Sequence, residues 1–416
     1  MADPSTSPPL TRASVQQARE LISPHVHLTP VLTNATLTRL ASTPRPAEPL
    51  RKGDTEEDSR EDSKAPAPAA AASRPTIRLW FKCENLQRVG AFKVRGAFHA
   101  VERLKGDEGW VAGGGLERGV VTHSSGNHAQ ALALAAREAG IPAHIVMPDI
   151  SAAPKVAATK GYGANVIFSG STSVEREAAA ARVIAETGAT LVPPYDHPDI
   201  ILGQGTLGLE FQEQVEALIE SSGGDGGDGD GEREYGHDSP YDSAKHKKNN
   251  GNGRRRGLDA IITPCGGGGM LSGVALSCEG TGIQVFGAEP SFEGADDCRR
   301  GLEAGARVEA VSTLTIADGL RTPVGKYPWA VIYERRLVRQ VFSVTEDEIR
   351  AALRLVLERM KLVVEPSAAV PLAVVLFNEE FRSLVEREAG EEGWDVGVVF
   401  SGGNVALENL GKLLTP

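Results

Sequence analysis

Short apolar runs alternate with helical segments along the chain, and this alternation limits the fold more than any other feature of the sequence. Residues 119–122 and 143–147 have the length and β-branched content of strands. Residues 127–139, which Gly140 would terminate, have the length and composition of a helix. Strands and helices that alternate at this spacing form βαβ units with parallel strands. The sequence therefore predicts an α/β fold of two domains, with parallel sheets flanked by helices.

The alternation continues through the rest of the chain. Thr345 and Glu348 form a capping-box pattern ahead of apolar residues at helical spacing. Two segments, 41–77 and 221–257, interrupt the pattern. We expect both to be disordered insertions, because they contain too few apolar side chains to offset the entropy lost on ordering. Further strands are predicted at 165–168, 190–192, 258–262, 283–287 and 396–400, and further helices at 153–160 and 172–187.

The charge balance and the hydropathy pattern exclude several classes of function. The chain has 44 Lys and Arg residues against 55 Asp and Glu residues, a net charge of −11. Its one basic cluster, at 245–256, lies in the second predicted insertion, where we interpret it as a solvated segment rather than a nucleic-acid patch. The longest apolar run, 368–377, is shorter than the ~18 residues that span a bilayer. We therefore expect neither nucleic acid nor membrane as a partner.

The cysteines and the first residues of the chain bear on the compartment. The four cysteines are too far apart in sequence to form CxxC or zinc-type pairs, which favours a reducing environment. Met1 to Pro4 do not begin a secretory signal pattern. We expect a cytoplasmic protein.

Four consecutive glycines follow the predicted strand at 258–262 and precede an apolar run. Such a loop lets successive backbone N–H groups point at one anion, and the helix that follows adds its positive N-terminal end. The loop therefore predicts a phosphate site, with a flexible linker as the alternative. No Gly-Lys-Ser/Thr follows and the spacing is not GxGxxG, so a nucleoside triphosphate or a dinucleotide is disfavoured.

Three more polar motifs lie at element boundaries. Lys93 begins a predicted helix, whose N-terminal dipole would help to lower the pKa of its amine, although a lone lysine is more often a surface residue. Ser124 to His128 and Ser401 to Asn404 follow predicted strands. Ligands of open α/β sheets bind at the carboxyl ends of strands, so we expect these motifs and the glycine loop to converge.

These motifs resemble a known family. FKCENLQRVGAFKVRGA, SSGNHAQA, GQGT, PCGGGGMLSG, TIADG, MKLVVEPSA and SGGNV occur in the order found in pyridoxal-phosphate enzymes with the tryptophan synthase β-subunit fold. The chain is most similar to the branch of serine racemases and serine/threonine dehydratases. The resemblance covers nearly all of residues 10–410 apart from the two predicted insertions. It implies a homodimer, a large cofactor domain of residues 10–112 plus 196–412, and a small mobile substrate domain of residues 113–195.

The resemblance also implies roles for individual residues. Lys93 would carry the cofactor covalently and would remove the substrate α-proton, while Ser125 would act on the opposite face of the substrate. A helix cap is the alternative role for Ser125. The residues implied in cofactor binding are Phe92, Lys93, Asn127, Gly266, Gly267, Gly268, Gly269, Met270, Glu365 and Ser401. Those implied in substrate binding are Ser124, Asn127, His128, Arg176 and Thr322.

A divalent-cation site is implied at Glu289, Ala295 and Asp297, whose oxygen ligands suit Mg²⁺ or Ca²⁺. The segment between Glu289 and the aspartates is two residues longer than in the animal racemases, which affects the register of the Ala295 carbonyl. Ordinary surface carboxylates are the alternative. At Arg88 and Val89 the chain departs from the Lys-Thr pair of nucleotide-activated racemases, so nucleotide activation is not implied.

The resemblance implies a racemase and ammonia-lyase that acts on serine or a related β-hydroxy amino acid. The alternative within the family is a dedicated threonine or 3-hydroxyaspartate dehydratase. An alternative of another class is a β-replacement synthase that makes cysteine or cystathionine, against which the SSGNHAQ motif and the carboxylates near Glu289 argue. A cofactor-binding regulatory protein is the non-enzymatic alternative, which Lys93 makes less favourable.

Overall fold

Two parallel sheets organise the structure, a computed structural model that describes residues 3–45, 72–124, 126–151, 153–223 and 257–414. The larger sheet has six strands in the order β1-β2-β10-β7-β8-β9. All of its neighbouring strands are parallel except β1 and β2, which are antiparallel at one edge. Its strands are β1 (Val31–Leu32), β2 (Ile77–Cys83), β7 (Ala260–Pro264), β8 (Gln284–Pro290), β9 (Gln340–Val344) and β10 (Trp394–Phe400).

The smaller sheet has four strands in the order β5-β4-β3-β6, and all of its pairs are parallel. It is contributed by one continuous part of the chain, between the second and the seventh strands. Its strands are β3 (Val120–His123), β4 (Ala143–Pro148), β5 (Asn165–Ser169) and β6 (Thr190–Leu191).

Helices cover both faces of the two sheets, as the right-handed crossovers between parallel strands require. The first eight are α1 (Arg12–Ile22), α2 (Ala35–Ser42), α3 (Lys93–Lys105), α4 (Glu108–Ala112), α5 (Gly115–Arg118), α6 (Asn127–Ala139), α7 (Ala153–Gly161) and α8 (Ser173–Thr187). The others are α9 (Pro198–Gly223), α10 (Gly269–Cys278), α11 (Asp297–Ala304), α12 (Lys326–Trp329), α13 (Glu346–Leu355), α14 (Pro366–Phe377), α15 (Glu379–Ala389) and α16 (Leu407–Leu414).

Separate apolar cores fill the two faces of each sheet. In the larger sheet, Phe81, Phe286 and Phe400 face a core that contains helix α14, which is apolar except for Ser367. The opposite face packs against α9 and α10 around Phe211 and Leu271. In the smaller sheet one face packs on α3 and α6 and the other on α8. Burial on both faces explains why the strands are near-continuous apolar runs.

The 26-residue helix α9 packs very closely against the helices that carry two of the predicted site motifs. A Cβ on Gly205 would lie 2.5 Å from the carbonyl oxygen of Gly273 in α10. A Cβ on Gly203 would lie 2.7 Å from the carbonyl oxygen of Arg95 in α3. Only glycine permits these approaches, and α9 thereby fixes the start of α3 relative to the start of α10.

Most of the predicted elements are confirmed to within two residues. Helix α6 has the predicted bounds and ends at Gly140, which adopts a left-handed conformation. The capping box of Thr345 and Glu348 begins α13, and a second one, of Thr172 and Glu175, begins α8. The prediction of two parallel sheets flanked by helices is confirmed, and the two-residue strand β1 adds one antiparallel pair at an edge. Helix α9 was not predicted. The division into two domains at 112/113 and 195/196 stays a prediction.

The predicted first insertion, 41–77, is too wide. Ala41 and Ser42 complete α2, and Ile77 begins β2. The buried guanidinium of Arg382 donates hydrogen bonds to the carbonyl oxygens of Ala41, Thr43 and Ser73. These contacts hold both ends of the segment on the protein surface. The remainder of this insertion, 46–71, lies outside the described residues.

The predicted second insertion, 221–257, also starts too early. Residues 221–223 extend α9, because its helical hydrogen bonds continue past the last buried apolar side chains. Residues 224–256, with the basic cluster, lie outside the described residues. Within the described part of the chain, every helix is too short or too polar to cross a membrane.

Candidate active site

Lys93 is the first residue of α3 and lies in a largely apolar setting. Its Nζ donates a 2.7 Å hydrogen bond to the carbonyl oxygen of Pro194 and lies 5.2 Å from the centre of the Phe92 ring. Burial lowers the pKa of this amine to about 8, against the opposing attraction of the Glu365 carboxylate. The expected lowering is thus present, although desolvation rather than the helix dipole is its main cause. At pH 7 about one tenth of the Lys93 amine is therefore neutral, a much larger fraction than for an ordinary lysine.

The glycine loop presents unused amide groups. Among the described residues, no hydrogen-bond acceptor faces the backbone N–H groups of Gly266, Gly267 and Gly268. The loop follows β7 directly, and α10 begins at Gly269, with Met270 buried in its first turn. Free N–H donors at a helix N-terminus form an anion site. The loop therefore fits the phosphate group of pyridoxal phosphate.

Tyr195 explains why the loop needs glycine. A Cβ on Gly267 would lie 2.3 Å from Cγ of the Tyr195 ring, so this ring packs directly on the loop backbone. The Tyr195 hydroxyl is hydrogen-bonded to Thr322, and burial raises its pKa. Tyr195 follows Pro194, the partner of Lys93, so this short segment connects the amine to the phosphate loop. Sequence analysis missed Tyr195, because its role depends on a contact between distant segments.

A chain of amide and carboxylate groups crosses between the two sheets. Asn404, beyond β10, donates from Nδ2 to Oδ1 of Asn127 at 2.9 Å. Asn127, at the start of α6, donates from Nδ2 to both carboxylate oxygens of Glu365, at 3.0 and 3.2 Å. Burial raises the pKa of Glu365 to about 7, with a further contribution from the negative charge of Asp318. A bond from Asn127 to a cofactor hydroxyl would replace one of its contacts with Glu365.

Ser401 lies immediately beyond β10 and is buried. Its carbonyl oxygen accepts a 3.0 Å hydrogen bond from the Phe92 amide, next to Lys93. The adjacent Gly402 carbonyl accepts from the Glu365 amide at 3.0 Å. Ser401, Lys93 and Glu365 therefore lie close together, just beyond the carboxyl end of β10.

The predicted substrate residues fall into two groups. Ser124 and His128 lie at the junction of β3 and α6. His128 is buried, and burial followed by the nearby positive charge of Lys93 lowers its pKa to about 3, so the ring is neutral. Its Nδ1 has no hydrogen-bond partner within the described chain.

Arg176 lies in α8, where its charge acts on His123, and Thr322 lies beside Tyr195. Ser125 lies outside the described residues.

Glu289 and Asp297 form a separate buried acidic pair. The carboxylate of Glu289 accepts hydrogen bonds from the backbone N–H groups of Cys298 and Arg299 at the start of α11. Burial and the charge of Asp297 raise the pKa of Glu289, and burial raises the pKa of Asp297 to about 6. Asp297 Oδ1 has no hydrogen-bond partner among the described residues. With the buried Ala295 nearby in sequence, this donor set fits a hard divalent cation.

A buried charge network holds α3 in position, and sequence analysis did not identify it. The guanidinium of Arg95, wholly buried in α3, forms paired hydrogen bonds with Glu84 and with Glu210 of α9, all between 2.7 and 2.9 Å. Lys82 of β2 also contacts Glu210, at 2.9 Å. Loss of one partner from such a network costs about 3–5 kcal/mol. The network therefore holds α3, the helix that begins at Lys93, in position.

The chain is similar to known proteins over most of its length. The family model described as pyridoxal-phosphate dependent enzyme matches residues 63–227 and 253–402. The chain is 35% identical to the serine racemase of Dictyostelium discoideum over 97% of this chain and 98% of that protein. It is 37% identical to the L-threo-3-hydroxyaspartate ammonia-lyase of Saccharomyces cerevisiae, over 81% of this chain and 86% of that protein.

Similarity extends to solved structures. The structure of maize serine racemase superimposes with a TM-score of 0.71 at 34% sequence identity, covering 97% of this chain and 96% of that one. The structure of a T.th. threonine deaminase superimposes with a TM-score of 0.67 at 31% identity, covering 95% of this chain and 98% of that one.

Proposed function

The chain belongs to the family of pyridoxal-phosphate dependent enzymes, and on that premise we propose that it is a serine racemase that also acts as an L-serine ammonia-lyase. One observation carries the proposal. The segment of Pro194 and Tyr195 contacts both Lys93, whose amine has a lowered pKa, and the glycine loop that would bind the phosphate. Similarity to serine racemases over nearly the whole chain supports the choice of serine as substrate.

The phosphate of the cofactor is bound by the free amides of Gly266, Gly267 and Gly268 and by the N-terminus of α10. Phe92 would pack beside the cofactor ring, and Ser401 would offer its neutral hydroxyl to the pyridine nitrogen. A hydroxyl does not hold a proton on that nitrogen as a carboxylate would, which disfavours transamination. Pyridoxal phosphate, when bound, supplies an electron sink for negative charge at the substrate α-carbon.

The substrate carboxylate is bound by uncharged donors. Ser124 and the N–H groups at the start of α6 lie at the end of β3, where an anion is stabilised by the helix N-terminus. His128 contributes no positive charge, because its pKa is lowered to about 3. Arg176 and Thr322 are the outer contacts of the substrate in this proposal, and they bear on the choice between serine and larger substrates.

Proton transfer takes place on two faces of the α-carbon. Lys93 Nζ accepts the α-proton on one face, which requires the neutral amine that burial favours. The Ser125 hydroxyl returns a proton on the opposite face, which inverts the configuration and gives D-serine. If the β-hydroxyl leaves instead as water, the aminoacrylate that is released takes up one water molecule and hydrolyses to a 2-oxo acid and ammonia. One site thus has both activities.

A hard cation, Mg²⁺ or Ca²⁺, is held in this proposal by Glu289, Asp297 and the Ala295 carbonyl. It neutralises two like charges that are buried together, and so it stabilises the start of α11. The chain is further proposed to be a cytoplasmic homodimer. The four cysteines are free in the described structure, in keeping with a reducing compartment.

A dedicated 3-hydroxyaspartate ammonia-lyase is the second candidate, because the yeast enzyme of that activity is 37% identical. A panel of L-serine, D-serine, L-threonine and the 3-hydroxyaspartate diastereomers, scored for 2-oxo acid and for enantiomer, separates the two. The first proposal expects D-serine and pyruvate from L-serine. Turnover of 3-hydroxyaspartate alone would favour the second, and a purified Lys93→Ala variant that keeps the visible cofactor absorbance of the wild type would contradict both.

A further inference from the structure

Two thiols and a carboxylate meet at the start of the phosphate loop. Cys265 directly follows β7, Glu289 lies in β8 and Cys298 lies in the first turn of α11. One ligand atom from each, the two Sγ atoms and a carboxylate oxygen, lie within 4.8 Å of one another. Within the described chain, no other group of three such side chains is this compact.

The fold fixes all three positions. Strands β7 and β8 are parallel neighbours, with Pro264 opposite Ala288, and the Cys265 amide donates a 2.8 Å hydrogen bond to the Ala288 carbonyl. Cys265 and Glu289 are therefore adjacent across the ladder. The Cys298 amide donates to Glu289 Oε1 at 3.1 Å, which brings α11 to the same point.

The donor set suits a thiophilic ion. Two cysteine sulfurs and one carboxylate oxygen bind Zn²⁺ at about 2.3 Å and about 2.0–2.2 Å. Ligand atoms around such an ion lie roughly 3.5–4 Å apart, so a contraction of at most about 1.3 Å completes the site. We propose that Cys265, Glu289 and Cys298 bind a thiophilic divalent cation of the Zn²⁺ class, with a fourth position for water.

Binding is balanced in atoms and charge. Each thiol loses its proton to solvent as a sulfur–metal bond forms, and the ion keeps its 2+ charge. Glu289 binds through an oxygen lone pair that its backbone hydrogen bonds leave free. Because two protons are released, affinity falls as the pH falls.

This ligand set differs from the hard-cation set proposed above. It replaces Asp297 and the Ala295 carbonyl by two sulfurs, which discriminate against Mg²⁺ and Ca²⁺. The sets share only Glu289, so a thiophilic ion and a hard ion exclude one another. Because both sets use the Glu289 carboxylate, a soft metal competes with the hard cation for this position at the start of the phosphate loop.

The other two cysteines provide matched controls. Cys83 donates to the carbonyl oxygen of Phe81, and Cys278 contacts Gln212 and Ser277. Cys278 is buried in the same core as Cys265 and Cys298, whereas Cys83 is buried in the core on the other face of the larger sheet. Neither belongs to the compact group. A Cys278→Ala variant therefore removes a buried thiol of the same kind without removing a ligand.

The test uses the reduced, chelator-stripped holoenzyme titrated with Cd²⁺, whose bonds to thiolates give an ultraviolet charge-transfer band. We expect the band to saturate at one Cd²⁺ per chain, and Zn²⁺ to abolish it. In Cys265→Ala and Cys298→Ala the band falls to half or less, and Zn²⁺ affinity, measured against a chromophoric chelator, falls at least about tenfold. The Cys278→Ala variant keeps both the band and the Zn²⁺ affinity of the wild type, and the Asp297→Asn variant keeps the band.

Three results would overturn the proposal: no band in the wild type, a band lost in Asp297→Asn but kept in Cys298→Ala, or an equal loss in Cys278→Ala. Cofactor absorbance and melting temperature, measured on each variant, establish that it is folded. Serine turnover by the chelator-stripped enzyme is measured separately. A negative result for the metal site therefore does not contradict the proposed function, and absence of serine turnover does not contradict the metal site.

Discussion

At the scale of single residues, Lys93 shows how position and environment combine. Its position at the start of a helix was visible in the sequence, because Gly90 precedes an apolar helical pattern. Its desolvation was not visible, since it arises from segments such as Pro194 that are distant in sequence. The main cause of the lowered pKa could therefore be found only in the folded structure.

The lowered pKa of Lys93 gives a pH prediction. Only the neutral amine captures pyridoxal phosphate, and with a pKa of about 8 the neutral fraction rises about tenfold between pH 7 and pH 9 and then levels off. We expect the rate of cofactor uptake by the cofactor-free protein, followed by absorbance, to show that plateau. A free lysine derivative measured in parallel is the control, and a rate that still rises tenfold per unit above pH 9 would contradict the lowered pKa.

Ser125→Ala separates the two proposed activities. Loss of the hydroxyl removes the proton donor on one face, so we expect D-serine formation from L-serine to fall by about 10²-fold or more. Pyruvate release should stay within about threefold, because elimination does not need that proton. Chiral chromatography and a 2-oxo acid assay measure the two. Ser124→Ala is the matched control, in which a higher KM should weaken racemisation and elimination alike. If the two activities fall equally in Ser125→Ala, Ser125 does not have the proposed role in racemisation.

At the scale of elements, the sequence predicted local structure well and long-range contacts poorly. Helix α6 and the capping box of α13 were predicted because their signals are local: a left-handed glycine and a Thr-x-x-Glu pattern. Helix α9 was missed because its glycines, which normally disfavour helix, serve close packing against α3 and α10. The antiparallel β1 was missed because two residues carry no periodicity.

The glycine loop yields a prediction at this scale. In Gly267→Ala the new methyl carbon would lie 2.3 Å from the Tyr195 ring, so the ring or the loop must move and the amide donors lose their common direction. We expect the dissociation constant for pyridoxal phosphate, measured by absorbance titration, to rise at least about tenfold. Gly161→Ala, which meets open space, is the control. Unchanged affinity in Gly267→Ala would show that the loop does not hold the phosphate.

At the scale of the whole molecule, the two sheets are connected by polar contacts through the site. Asn404, Asn127 and Glu365 form one connection. Lys155 of α7 and Asp318, 2.7 Å apart, form another. Alternation of elements predicted both sheets, but these contacts depend on how the sheets face each other, which no local pattern encodes.

The proposed hard-cation site gives a global prediction. Chelation leaves Glu289 and Asp297 buried together without a neutralising ion, so we expect the melting temperature of the holoenzyme to fall by roughly 3–6 °C in EDTA and to recover with Mg²⁺. Scanning calorimetry measures the shift. The Asp297→Asn variant should melt at the same temperature with and without EDTA. If EDTA leaves the melting temperature of the wild type unchanged, Glu289 and Asp297 are ordinary carboxylates that bind no cation.

The guanidinium of Arg382 has a consequence for the evolution of chain length. It binds the carbonyl oxygens of Thr43 and Ser73 with one nitrogen atom, so these two residues lie close together although they are far apart in sequence. The closure entropy of a segment with fixed ends grows only with the logarithm of its length, by about 0.6 kcal/mol for each doubling. Insertions and deletions between these two residues are therefore nearly neutral to stability. This position can accept a fused domain or a short linker in place of the native segment, and lineages are free to differ in length there.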